Sequence, residues 1–166
     1  MVISFDVKTD TNDVFRVSLS SGEDAFFATE NVMQETALDV EIIEIDLERI
    51  EGHHNADIRT LRIIADGIGR CFSQNSKAIL YYYCDEIELP IISQHHSEKW
   101  PQEYRSQLFS RMFQRYASKA GDLDIIDMTV EIIQGDRPIF MHLIARECHR
   151  SCLETLKNYI TTNYGK

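Results

Sequence analysis

The residues of this chain best placed to do chemistry or binding are a run of carboxylates. Asp39, Glu41, Glu44, Asp46 and Glu48 are expected along the polar side of the strand over Leu38–Leu47 and the residue after it. Carboxylates at this spacing repel one another unless water or bases oppose them. Their field attracts basic partners and repels nucleic-acid phosphate, so Glu41, Glu44, Asp46 and Glu48 are the candidate contacts for a basic protein partner. Two histidine pairs, His53-His54 and His95-His96, offer imidazole, the second near the carboxylates of Asp85, Glu86 and Glu88. These donors suit zinc, nickel or iron. Adjacent residues in an extended chain point apart, however, so neither pair sends two ligands to one ion, and no metal site is expected.

Cys84-Asp85-Glu86 stands at a strand end, where carboxylates beside the thiol disfavour the thiolate a nucleophile needs. His142 sits mid-strand and reads as a hydrogen-bonded histidine rather than a base. Cys71, Cys84, Cys148 and Cys152 read as reduced thiols, because Cys148-x3-Cys152 lacks the two-residue spacing of a zinc knuckle and has no second pair. The chain has no Walker A loop, G-x-S-x-G elbow or H-E-x-x-H helix. One further cluster is basic: Arg105, Arg111, Arg115 and Lys119 on a single helical stretch with Glu103 as its acid. It suits phosphate contacts, a solvated face, or neutralisation of the acidic strand within the same fold.

The elements that must position these groups follow from periodicity. Val2–Val7 and Val14–Leu19 alternate as a hairpin around the turn-forming residues 9–13. A short apolar run at Ala25–Ala28 and an ambiguous stretch at Glu30–Ala37 precede a strand over Leu38–Leu47, with a bulge expected at Ile42-Ile43. Asp57–Phe72 has helical period with Gly67 and Gly69 inside it, each costing about 1 kcal/mol relative to Ala. Lys77–Cys84 is a nearly continuous apolar run, the expected middle of the sheet. A long connection with Pro90 leads to a helix opened by Pro101, with Tyr104, Leu108, Met112 and Tyr116 as its stripe. A hairpin over Ile126–Ile132 and Ile139–Ala145 follows, then a helix entered through the capping box Ser151-x-x-Glu154. The expected fold is α+β: a mostly antiparallel or mixed sheet with three helices, in the order β-β-(β)-β-α-β-α-β-β-α.

The chain has 166 residues and a net charge of −10, a size that suits a single domain over 1–166. Residues 1–56 hold thirteen Asp and Glu against Lys8, Arg16 and Arg49, whereas residues 57–166 hold fourteen acids and fourteen bases. The acidic excess therefore lies wholly in the N-terminal strands. No apolar run approaches the roughly 20 residues of a membrane span, and the N-terminus shows no secretory pattern. A cytoplasmic protein is expected, with oligomeric state left open.

Tyr82-Tyr83-Cys84-Asp85, followed by Arg105, Leu108, Phe109 and Phe113, resembles an uncharacterised family of small bacterial proteins with a Y-x-C-D strand end and an R-x-x-L-F helix. That resemblance implies a bacterial, cytoplasmic, single-domain protein and no catalytic residue. Gly67-Ile68-Gly69-Arg70 before the central strand is similar to the glycine-rich turn of the GCN5-related acetyltransferases, although Ile64 stands where that family has Gln or Arg. This likeness implies an acyltransferase holding acetyl coenzyme A at Gly67, Gly69 and Arg70, where amides at a helix N-terminus would bind the pyrophosphate. The residues themselves favour a non-catalytic binding protein of inhibitor or immunity type, needing no cofactor and engaging a basic partner through the acidic strand.

Overall fold

The structure is a computed structural model that describes residues 2–21, 39–84, 101–121, 124–135 and 137–164. Among these residues, six strands and three α-helices fall in the order β1 (Val2–Lys8), β2 (Val14–Ser21), β3 (Glu41–Glu51), α1 (Ile58–Gln74), β4 (Ala78–Cys84), α2 (Pro101–Ala120), β5 (Ile125–Gln134), β6 (Arg137–Arg146) and α3 (Arg150–Tyr164). This is the expected α+β order. The expected runs at 25–28 and 30–37, and the connection carrying Pro90 and His95-His96, lie outside the described residues.

The strands form one mixed sheet ordered β1-β2-β3-β4-β6-β5. Only β3 and β4 run parallel, joined by the crossover helix α1; the other neighbours are antiparallel. Asn12, at φ 60°, turns the β1–β2 hairpin, a left-handed conformation its short amide side chain tolerates. β4 is fully flanked, as its apolar run requires: Ala78, Ile79, Leu80, Tyr81, Tyr82 and Cys84 are all buried.

Each face of the sheet carries its own core. On one, Val17, Leu19, Ile45, Leu47, Leu80 and Ile144 pack against Ile64, Ile68 and Phe72 of α1 and Phe109 and Phe113 of α2. The Tyr82 and Phe109 rings stack there at 4.0 Å. On the other, Ile79, Tyr81, Met141 and Leu143 pack against Leu153, Leu156 and Ile160 of α3.

This two-sided core removes the expected bulge at Ile42-Ile43. Both residues lie in unbroken register with Ile79 and Leu80 of β4, and the register shift of β3 falls instead opposite Val14/Phe15. Ile42 packs with the α3 core and Ile43 with the α1–α2 core, so adjacent apolar residues serve two cores along one regular strand. Ser151 is likewise not a cap: a 3-10 turn at Glu147–His149 leads directly into α3 at Arg150. Among the described residues no helix is long and apolar enough to cross a membrane.

Candidate functional site

The alternation of β3 divides the acidic run. Glu44, Asp46 and Glu48 share one face with Ile42, while Glu41 lies with Ile43, Ile45 and Leu47 on the face carrying α1. Glu41 accepts a hydrogen bond from Asn75 Nδ2 at 2.6 Å, at the end of α1. Asp39 precedes the strand and pairs with Lys77. The expectation of all five carboxylates on one polar side is therefore corrected: Glu41 lies on the other face.

The remaining three stand in a grid set by the hairpin register. Glu48 lies opposite Arg16 and Arg16 opposite Asp6; Asp46 lies opposite Ser18 and Ser18 opposite Ser4; Glu44 lies opposite Ser20. Asp46 and Glu48 are exposed and Glu44 is half-buried. The Arg16 guanidinium makes a two-pronged contact with Asp6 at 2.8 and 2.9 Å. Those hydrogen bonds hold the Asp6 carboxyl below its usual range.

His53 and His54 have a structural task. Asp13 is buried, and its Oδ1 accepts from the backbone amides of His53 and His54 at 2.7 and 2.8 Å. Its Oδ2 accepts from Thr11 Oγ1 at 2.5 Å and lies 3.0 Å from His54 Nδ1. The Thr11 hydroxyl, then the His54 amide, hold this carboxyl well below the usual range. Gly52, at φ +87°, permits the close approach, since a Cβ there would meet Asp13 Oδ1 at 2.0 Å. Among the described residues no group of three or more His, Cys, Asp or Glu is arranged to hold a metal ion.

Gly67, Gly69 and Arg70 lie in the middle of α1, whose N-cap is Asp57, accepting from the Thr60 amide at 2.7 Å. The glycine-rich turn expected at a helix N-terminus is therefore absent from 67–70, and amides there are occupied by the helix ladder. The glycines serve packing instead: a Cβ on Gly67 would stand 2.5 Å from the Phe5 ring, and one on Gly69 would stand 2.2 Å from the Tyr116 ring.

A buried polar chain ties α2 to the β5–β6 hairpin. Ser106 Oγ lies 2.8 Å from His142 Nε2, and His142 Nδ1 lies 2.9 Å from Asp127 Oδ1. Asp127 Oδ2 accepts from Ser110 Oγ at 2.5 Å. The connectivity is that of a hydrolase nucleophile, base and orienting carboxylate, but the surroundings are not. His142 is fully buried and Ser106 is only 6% exposed. Ser106 is mid-helix, so the amides beside its hydroxyl are spent in the helix and offer no oxyanion hole. What remains is a polar seam holding helix to sheet, in agreement with the hydrogen-bonded reading of His142.

No known family, curated protein or solved structure matches this chain.

Within that geometry the basic cluster divides as the acidic one does. Arg105 is buried at 2% exposure, while Arg111, Arg115 and Lys119 are exposed on α2. α2 packs on the sheet face opposite Glu44, Asp46 and Glu48, so these bases cannot neutralise the acidic strand within the fold. Cys84 is buried in the core beneath the helices, and Asp85 and Glu86 lie outside the described residues. Sequence reasoning missed the Asp13 clasp and the Ser106–His142–Asp127 seam. The i, i+4 spacing of Ser106 and Ser110 was a signal for the seam, but its partners are apart in sequence and meet only through the β5–β6 register.

Proposed function

We propose that this chain is a non-catalytic binding protein whose β1–β2–β3 face meets a basic partner protein, as an inhibitor or immunity-type protein does. The observation that carries it is the adjacency of Asp46 and Glu48, both exposed on β3 beyond Ile42, where α3 packs, with half-buried Glu44 beside them. The neighbouring strand contributes Ser18 and Ser20 beside them. These short side chains leave room for a partner's Lys or Arg stems to lie flat with their charged heads at Asp46 and Glu48. Arg16 offsets the face only in part, because one guanidinium is shared between Asp6, which it grips, and Glu48 opposite it. Exposed ion pairs contribute about 0.2–1 kcal/mol each, so such a face governs encounter rate and partner choice more than affinity.

The test is affinity capture on the immobilised full chain and on its Glu44→Gln/Asp46→Asn/Glu48→Gln variant. The expected result is a basic protein retained by the unaltered chain and released as salt rises toward about 1 M, where the screening length falls to about 3 Å. The variant, with a similar melting temperature, retains none of it. Equal retention by both chains, or retention of no basic protein, removes the proposal.

A further inference from the structure

On the opposite side of the sheet, α1 and α2 border a groove of about 230 Å³. Its floor is apolar: Ala65 from α1, and Leu108, Met112 and Tyr116 from α2, with Ile58 at 55% exposure beside them. Its rim is basic: Arg62 from α1, and Arg111, Arg115 and Lys119 from α2, against the single acid Asp66. None of these four cations makes an ion pair or side-chain hydrogen bond among the described residues. In a chain of net charge −10, four bases with no acid partner among the described residues, set around one apolar concavity, are a local reversal of sign.

The spacing decides what fits. Arg111, Arg115 and Lys119 recur every four residues, so they line one edge of α2 about 6 Å apart and form a row about 12 Å long. A lone carboxylate or phosphate covers one of them. A second α-helix with carboxylates at i, i+4 and i+8 covers all three, and its adjacent apolar stripe then lies on Leu108, Met112 and Tyr116. The flexible Met112 thioether suits such a surface, because it repacks around varied side chains. A second copy of this chain offers no match through its acidic sheet face, where Asp46, Glu48 and the serines would leave the apolar floor unfilled. Nucleic acid would meet the cations but likewise waste the floor, and the chain's overall negative field opposes it.

We infer that the α1–α2 groove is a docking site for an acidic amphipathic helix of a partner protein, bound helix-in-groove. This surface is separate from the acidic sheet face, so either reading stands or falls alone.

The test uses a helical peptide of about 15 residues, with Glu at i, i+4 and i+8 beside a Leu stripe, added to the full chain labelled at its methyl groups. The expected result is saturable shifts of the Ala65, Leu108 and Met112 methyls. Binding weakens at least about tenfold when the peptide's Glu are replaced by Gln, and equally in an Arg111→Gln/Arg115→Gln variant. Those two side chains are exposed and unpaired, so an unaltered melting temperature checks that the variant is folded. Three outcomes overturn the inference: no methyl shift at about millimolar peptide, shifts confined to other parts of the molecule, or equal affinity for the Glu and Gln peptides. A duplex oligonucleotide that moves the same methyls at lower concentration than the peptide overturns it too, in favour of a nucleic-acid surface.

Discussion

Gly69 of α1 lies directly beneath the ring of Tyr116 on α2, so close that a Cβ at position 69 would stand 2.2 Å from Tyr116 Cζ. The missing methyl lets the two helices approach and sets the wall of the groove between them. The Tyr116 hydroxyl lies 3.3 Å from Ser73 Oγ, one turn along α1, which holds the ring over the glycine.

The first prediction follows from that contact. In Gly69→Ala two effects oppose: Ala favours the helix by about 1 kcal/mol, while forcing a ring out of a packed position costs about 1–3 kcal/mol. The net expectation is a loss of about 1 kcal/mol. In a Tyr116→Ala background the clash is gone, so the same substitution becomes stabilising by about 1 kcal/mol. Urea denaturation of the four chains of this cycle measures the reversal; the same sign in both backgrounds contradicts the packing account.

The second concerns the buried seam. His142→Leu leaves Ser106 and the Asp127 carboxylate without their imidazole partner, and each unsatisfied buried group costs about 1–3 kcal/mol. A loss of about 2–4 kcal/mol is expected. Ser106→Ala removes one neutral hydrogen bond and is expected to cost about 1 kcal/mol plus the loss of satisfaction at Nε2. Chemical denaturation checks both, and a Ser106→Ala change larger than that of His142→Leu would contradict the seam.

The third concerns acid. The Asp13 carboxyl is held below its usual range in the folded chain. A depressed folded value means the clasp stabilises fully above the unfolded value near 3.8, and that this stabilisation is lost as pH falls below it toward the folded value. Asp13→Asn removes the charge and cannot accept from both the backbone amides and the Thr11 and His54 side chains. The difference in stability between the unaltered chain and Asp13→Asn should therefore be constant above about pH 5 and shrink progressively below that. Thermal melts of both chains from neutral to acid pH provide the measurement, and a difference that grows on acidification would contradict the assignment.

The fourth concerns the end of α1. Arg146 of β6 donates to the carbonyls of Asn75 and Phe72, each at 2.8 Å, and its guanidinium lies 4.4 Å from the centre of the Phe72 ring. A cation at a helix C-terminus satisfies carbonyls that the helix itself cannot. Lysine cannot span both acceptors or stack in the same way. Arg146→Lys is expected to cost about 1 kcal/mol, read as a lowered denaturation midpoint; an unchanged midpoint would show that the carbonyls are as well served by water.

The sequence by itself determined what depends on near neighbours. Period two over Val14–Leu19 and Ile126–Ile132, and period three to four over Ile58–Phe72, gave the strand and helix types, because side-chain direction repeats locally with the backbone. The doubly buried run of β4 named the middle of the sheet. The confinement of excess charge to residues 1–56 is also a plain property of the chain.

Only the tertiary structure decided which side of the sheet each group serves. Glu41 parts from Glu44, Asp46 and Glu48, Ile42 and Ile43 belong to different cores, and Arg105 is buried while Arg111 and Arg115 line a groove. Of the α2 stripe, Leu108 and Met112 edge the core and floor that groove with Tyr116, while the flanking Phe109 and Phe113 are buried in the core. The reason is physical. A strand or helix has two usable sides, and local pattern cannot assign them when both sides of the sheet are covered. That assignment is made by strand order and helix placement, which rest on contacts between residues far apart in sequence.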